Sequence, residues 1–265
     1  IKGPILLHVV TKKGKGYPPA ENEPVRFHSA TAFEVNTGES LSKEKSSAPT
    51  YTEVFSKKLL ELAKDNKRIM AITAAMPEGT GLDRFRDLYP ERFFDVGIAE
   101  AHAVCFASGL ARGGLKPVVA IYSTFLQRAY DQIMEEVALQ NMSVIFAIDR
   151  AGIVGEDGAT HQGIFDIAYL RQVPNLVVMA PKDARELEAM LEFAINLERP
   201  VAIRYPKSVC PPSRLSNLPI ELGKVELLKE GRDFLIIALG SMVMPSWQAT
   251  ELLEKEGLKG GLINA

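Results

Sequence analysis

Six short apolar runs, separated by stretches of helical spacing or loop composition, constrain the fold of this chain more than any other feature. They are Ile69–Thr73, Phe93–Val96, Pro117–Tyr122, Ser143–Ile148, Leu176–Met179 and Val201–Ile203. Near-continuous runs of this kind belong to strands buried on both faces, not to strands with one wet face. Val54, Phe55, Leu59 and Leu62 follow Thr50-Tyr-Thr-Glu53, the pattern of a capping box. Leu126, Ala129, Ile133 and Val137 follow Thr124-Phe-Leu-Gln127, which repeats that spacing. A short helix near Leu82–Leu88 and a longer one over Asp183–Leu197 continue the alternation. The expectation is an α/β domain, a parallel sheet with helices on both faces.

On either side the pattern changes. Ile1–Val10 reads as a strand, and TKKGKGYPPAENEP after it reads as a loop that could be a solvated basic turn or a nonspecific anion site. Residues 25–49 have little periodicity and read as a linker. After 206–219 the strand–helix pattern restarts with Lys224–Leu228, Phe234–Leu239, helix Ser246–Glu256 and a terminal GLINA, the start of a further α/β domain. Ile1 is not a start methionine and GLINA resembles mid-strand, so the chain is expected to be a piece of a longer protein. With a formal charge of −2 and interspersed signs, no nucleic-acid footprint is visible. The best apolar run, Phe234–Gly240, is far too short to span a bilayer, and no signal peptide is seen. The two cysteines, Cys105 and Cys210, form no metal or disulfide pattern, which fits a reducing cytosol; Cys105 reads as a small core residue.

In an open parallel sheet, ligands bind beyond the carboxyl ends of the strands. Several polar and aromatic residues fall there. Glu100 opens a small-residue helix after the 93–96 run and the Gly97 turn, either complementing the helix dipole or standing as a partly desolvated acid/base carboxylate. Tyr122, Ser123 and Phe125 follow the 117–122 run. Arg150, Asp157 and His161 lie in the loop Asp149–Gly163, longer than most βα connections. Arg204 ends the 201–203 run. Two arginines at one rim suit a planar grip on phosphate or carboxylate, or each forms a surface ion pair. Phe125 can belong to the core or stack on a flat ring. His28 and His102 read as structural, and His8 is ambiguous.

The segments LLHVVTKKGKGY, RFFDVGIAEAHAV, AIYSTFLQRAYDQ, FAIDRAGIVGEDGATHQGIFD and AIRYP run in this order over essentially the whole chain. Together they closely resemble the 1-deoxy-D-xylulose-5-phosphate synthases, thiamine-diphosphate-dependent relatives of transketolase. The resemblance implies three domains: residues 1–24 as the tail of the first, diphosphate-binding one; 25–49 a linker; 50–205 the pyrimidine-binding domain; 206–219 a linker; and 220–265 the start of the third. It implies decarboxylating condensation of pyruvate with glyceraldehyde 3-phosphate, serving isoprenoid precursor, thiamine and pyridoxal synthesis. It also implies a homodimer in the bacterial cytoplasm or a plastid stroma, with no nucleic-acid or membrane partner. Thiamine diphosphate and Mg²⁺ are the implied cofactors. The family's GDG…N motif has no counterpart here, so the metal ligands are expected outside this chain and none is assigned within it.

By the same resemblance, Glu100 is the carboxylate that bonds the N1′ atom of the aminopyrimidine, Phe125 the ring that stacks on it, and Tyr17 a cofactor contact. Tyr122, Asp157 and His161 surround the substrate, with His161 a proton donor, while Arg150 and Arg204 grip the acceptor's phosphate. One departure concerns Ala101, which stands where the family has glutamine in AEQH. Competing readings are another transketolase-like enzyme, such as transketolase itself or a 2-oxoacid dehydrogenase β subunit, and a non-catalytic module lacking the diphosphate-binding half.

Overall fold

The computed structural model describes residues 2–28, 30–41, 47–155, 158–212, 215 and 219–265, and the chain divides into two compact units, Ile1–Ser47 and Ala48–Ala265. In the first unit, α1 (Pro18–Asn22) begins on a proline, whose missing N–H costs nothing at that position. Glu21 closes the preceding Lys-Gly loop onto this helix, accepting from Lys12 Nζ at 2.5 Å and from the Gly16 N–H at 2.9 Å. Lys13 Nζ lies 2.8 Å from His28 Nδ1. Tyr17, Phe27 and Phe33 form an aromatic cluster with centroids 5.5, 6.0 and 5.1 Å apart, so residues on both sides of position 25 share one packed unit. The run Ile5–Val10 is not a strand. Its side chains are exposed and it pairs with nothing among the described residues, and apolar composition alone does not make a strand without a neighbour.

The second unit carries the expected sheet. Helix α2 (Tyr51–Asp65) starts on the capping box that the sequence announces: Thr50 Oγ1 accepts from the Glu53 N–H, and Glu53 accepts from the Thr50 N–H. There follow β1 (Ile69–Thr73), α3 (Asp83–Leu88), β2 (Phe93–Asp95), α4 (Glu100–Arg112), β3 (Lys116–Tyr122), α5 (Ser123–Leu126), α6 (Tyr130–Gln132), β4 (Ile145–Asp149), α7 (Asp166–Leu170), β5 (Val177–Met179), α8 (Ala184–Asn196) and β6 (Val201–Arg204). All six strands are parallel, in the order β2-β1-β3-β4-β6-β5. Alternate strand residues feed two separate cores. Ala71, Val118, Ala120, Ala147 and Ile203 pack with α2 and α8, whereas Ile72, Val119, Ile121, Phe146 and Ile148 pack with α4 and the 126–138 segment. The 93–96 run expected to be fully buried is instead an edge strand, and its two phenylalanines are half-buried.

Two further expectations change. The stretch 123–138 is not one helix: α5 passes into a 3₁₀ turn over Gln127–Ala129, then α6, then a π-helix over Ile133–Ala138. Thr124 does not cap it, because its hydroxyl donates instead to Thr160 O at 3.0 Å. The inward residues Leu126, Ala129, Ile133 and Val137 are nevertheless all buried. Cys105 is exposed, since two residues beyond Ala103 the helix has turned by about 200°, away from the Ala103–Ala107 stripe. Cys210 is buried, and burial pushes its thiol up to about 12.

The entry and exit of this domain lie side by side. Thr50 and Val209 form an antiparallel bridge, flanked by Tyr51 N–H to Ser208 O at 3.1 Å and Cys210 N–H to Pro49 O at 2.8 Å. Beyond it, β7 (Glu226–Lys229), β8 (Phe234–Ala238), α9 (Val243–Lys255) and β9 (Gly260–Asn264) build a second sheet in the order β7-β9-β8, with β8 and β9 parallel around α9 and β7 antiparallel. Its small core is Ala238, Val243 and Leu262, while Leu235 and Ile237 are exposed. A buried polar cluster ties this sheet to α8. Lys182 Nζ donates to Glu186 Oε1 at 3.0 Å and Glu226 Oε2 at 2.8 Å, and Asn264 Nδ2 donates to Glu186 Oε1 at 2.7 Å. No helix among the described residues is long and apolar enough to cross a membrane.

Candidate active site

The carboxyl ends of β3, β4 and β6 lie in register, Tyr122 opposite Asp149 and Ile148 opposite Arg204, so their following residues emerge at one edge. At the outer side of that edge, Asp95 shapes the approach to Glu100. Its Oδ1 accepts from the Ala75 N–H at 2.7 Å and the Gly97 N–H at 3.0 Å, clamping the loops after β1 and β2 together. Gly97 then turns the chain at φ 70°, and Glu100 becomes the first residue of α4. Its side chain is only 4% exposed. Oε1 accepts a hydrogen bond from Arg128 Nη1 at 2.5 Å, and Oε2 accepts none among the described residues.

Phe125 is the centre of the aromatic part. It stacks on Tyr122, with centroids 5.6 Å apart and planes 13° apart, and meets His161 edge-on at 5.2 Å. The guanidinium of Arg128 lies 5.2 Å from the same ring. Tyr122 in turn carries Arg150, whose Cζ is 3.9 Å from the ring centroid. That approach depends on Gly79: a Cβ there would stand 2.1 Å from Tyr122 Oη.

Arg150 is itself a backbone exception, a non-glycine residue at φ 55°. Its N–H donates to Asp149 Oδ1 at 2.6 Å, and Nη1 donates to Gly79 O at 2.8 Å and Asp149 Oδ1 at 3.1 Å. Asp149 also accepts from Thr52 Oγ1 at 2.7 Å, and burial pushes its carboxyl above the ordinary aspartate range. The long loop after β4 closes on itself: Gly152 and Gly163 exchange two N–H to O bonds of 2.7 Å. Gly163 must be glycine, because a Cβ would meet Arg150 O at 2.3 Å. Gln162 Oε1 accepts from the Val154 N–H at 2.7 Å, and Thr124 tethers the loop at Thr160, which sets His161 against Phe125.

The structure thus brings Glu100, Tyr122, Phe125, Arg150 and His161 into one contiguous set. Arg204 stands at the end of the next strand, with Nε donating to Asp166 Oδ2 at 2.9 Å and its terminal nitrogens donating to nothing among the described residues. Asp157 lies outside the described residues. Tyr17 belongs to the first unit, where its hydroxyl donates to Val35 O at 2.8 Å. Arg128 is the member that sequence reasoning missed. It lies 28 positions from Glu100, and no local periodicity connects them. Among the described residues, no group of three or more His, Cys, Asp or Glu side chains could hold a metal ion.

The family described as transketolase, pyrimidine binding domain, matches residues 47–212. This chain belongs to the transketolase family. The transketolase C-terminal domain matches residues 223–265, the second sheet and α9. Among curated relatives, the 1-deoxy-D-xylulose-5-phosphate synthase of Halothermothrix orenii is 55% identical over 267 residues, covering 100% of this chain and 42% of the relative. That of Pelotomaculum thermopropionicum is 56% identical over 266 residues, covering 100% and 41%. The chain therefore spans about two fifths of the length of these relatives. Among solved transketolase-family structures, one described as split gene transketolase, inactive beta4 tetramer, is 33% identical with a TM-score of 0.74, covering 82% of this chain and 71% of that one. Transketolase from Campylobacter jejuni, at 23% identity and a TM-score of 0.74, covers 84% of this chain and 36% of its own, and shares the fold.

Proposed function

We propose that this chain is the pyrimidine-binding part, with the start of the C-terminal domain, of a 1-deoxy-D-xylulose-5-phosphate synthase. In this reading the intact protein condenses pyruvate with glyceraldehyde 3-phosphate, with loss of CO₂, as a cytoplasmic homodimer. Residues 1–24 are the tail of the diphosphate-binding domain, 25–49 and 206–219 are linkers, and 50–205 is the pyrimidine-binding domain. The observation that carries the reading is the pairing of a buried carboxylate, Glu100, having one oxygen without a partner among the described residues, with the flat ring of Phe125 at the same sheet edge. A planar nitrogen heterocycle needs those two things: a face to stack on and a desolvated acceptor or donor at its rim.

The residues fit the aminopyrimidine end of thiamine diphosphate. When bound, that cofactor supplies the electron sink for decarboxylating a 2-oxoacid. Glu100 exchanges a proton with the ring atom N1′, and its burial keeps water from competing for that proton. Phe125 orients the ring. His161, at the tip of the closed loop, is the proton donor to substrate oxygen, with Tyr122 and Asp157 beside it. Arg204, whose terminal nitrogens donate to nothing among the described residues, grips the acceptor's phosphate together with Arg150. Tyr17 contacts the cofactor, and Mg²⁺ is held by groups outside this chain.

The test is a product assay on the full-length protein with thiamine diphosphate and Mg²⁺. Pyruvate plus glyceraldehyde 3-phosphate should give CO₂ and a five-carbon ketose phosphate. Turnover of ketose phosphate donors with no use of pyruvate would make it a transketolase instead, and absence of both activities would leave a binding module.

A further inference from the structure

The one hydrogen bond that the Glu100 carboxylate accepts among the described residues comes from Arg128, a residue to which the assignment above gives no part. The two ends of this pair are unequal. Glu100 is 4% exposed and Arg128 is 55% exposed. An ion pair with both ends in water carries little weight, but a short, charge-assisted bond to a buried oxygen directs that oxygen. Arg128 is itself placed by the break in the helix. It lies in the 3₁₀ turn Gln127–Ala129, three residues after Phe125, and in 3₁₀ geometry residues three apart eclipse one another. The guanidinium is accordingly held over the Phe125 ring, 5.2 Å from its centroid, where the ring's negative face attracts it.

The consequence for Glu100 is rotational. The terminal torsion of a glutamate is broad and two-fold, so an untethered carboxylate presents either oxygen. Among the described residues Oε1 is committed and Oε2 is not. We propose that Arg128 is a positioning residue, holding the Glu100 carboxylate through Oε1 so that Oε2 alone faces the ring nitrogen of a bound aminopyrimidine. This rests on the reading of Glu100 given above. Arg128 touches neither the substrate nor the reacting atoms; it acts through the carboxylate.

The experiment is equilibrium binding to the full-length protein with saturating Mg²⁺. It compares thiamine diphosphate with an analogue in which ring N1′ is replaced by C–H. Arg128→Met should weaken thiamine diphosphate about tenfold while changing the analogue less than about twofold, because only the former uses the oriented oxygen. Arg128→Lys, which keeps a donor, should recover part of the loss. Equal weakening of both ligands, or no weakening of either, would overturn the proposal. Glu100→Ala separates this from the underlying reading: it should abolish the advantage of thiamine diphosphate over the analogue. Retention of that advantage would remove Glu100 from the site altogether, whatever Arg128 does.

Discussion

Lys182 and Arg128 each hold a buried glutamate, and the two pairs differ in how many of their groups are already used. Around Lys182, which is 1% exposed, two carboxylates, an amide and a backbone N–H are tied together, and Glu186 spends both oxygens, on Lys182 Nζ and Asn264 Nδ2 and on the Lys182 N–H. Around Glu100 there is, among the described residues, one cation, half in water, and one oxygen without a partner. Both oxygens of Glu186 are used, which makes the first cluster a joint between α8 and the second sheet, while the Asn264 Oδ1 is buried there without a partner among the described residues. The open oxygen makes the second a place for a ligand, because it leaves a carboxylate acceptor on an otherwise buried side chain for a ligand's donor to complete.

Glu100→Gln tests the open side most severely. In the full-length enzyme it should slow C2 proton exchange of bound thiamine diphosphate by about 10²–10⁴-fold, followed by NMR, because an acid/base group is lost. Its urea midpoint should barely move. Unchanged exchange with a large drop in stability would reverse the roles assigned to the two clusters.

Lys182→Met tests the other cluster. It leaves Glu186 and Glu226 buried without their cation, which costs about 3–5 kcal/mol, read from urea denaturation. Burial alone would push the Lys182 ammonium down, but the hydrogen bonds and charges of Glu226 and Glu186 more than offset this and hold it above the ordinary lysine range. A group whose folded value is raised gives stability that is complete below its unfolded value and is lost as pH rises through the folded one. The parent should therefore show no loss from this group until about pH 10.4, and lose stability above it. Lys182→Met should lack that alkaline step, and its persistence would assign the step elsewhere.

A smaller effect separates the two arginines. Arg204→Ala should raise KM for glyceraldehyde 3-phosphate about ten- to a hundredfold, with that for pyruvate little changed, since its terminal nitrogens have no partner among the described residues. Both variants should also destabilise the fold, Arg150→Ala by stripping the buried Asp149 and Gly79 O of a donor and Arg204→Ala by stripping the buried Asp166 of one. A stability loss in Arg204→Ala with no selective rise in KM for glyceraldehyde 3-phosphate would show Arg204 to be structural only.

Much of the fold was legible because parallel strands are buried on both faces and therefore read as unbroken apolar runs. The Thr50 capping box was legible because both of its partners lie within four residues. Thr124 had the same spacing and a different fate, since the long loop offers Thr160 O to its hydroxyl, a partner 36 positions away. Ile5–Val10 misled for a related reason: propensity is local, whereas pairing requires a neighbour. In the candidate site, Glu100 and the loop residues could be placed from the topology alone, by their position after strands. Arg128 could not, because its meaning depends on a contact between α4 and a 3₁₀ turn that only the packed domain creates.

The side-by-side entry and exit at Pro49–Tyr51 and Ser208–Cys210 have a mechanical consequence. Tension carried along a longer chain enters and leaves the pyrimidine-binding domain at nearly one point, so the load falls on that short seam and on the Lys182–Glu226 joint beside it. The six-stranded sheet lies outside the line of force. Pulled from its flanks, the domain should hang from the seam and that joint like a bead from a knot, with these parting before any strand of the six-stranded sheet slides.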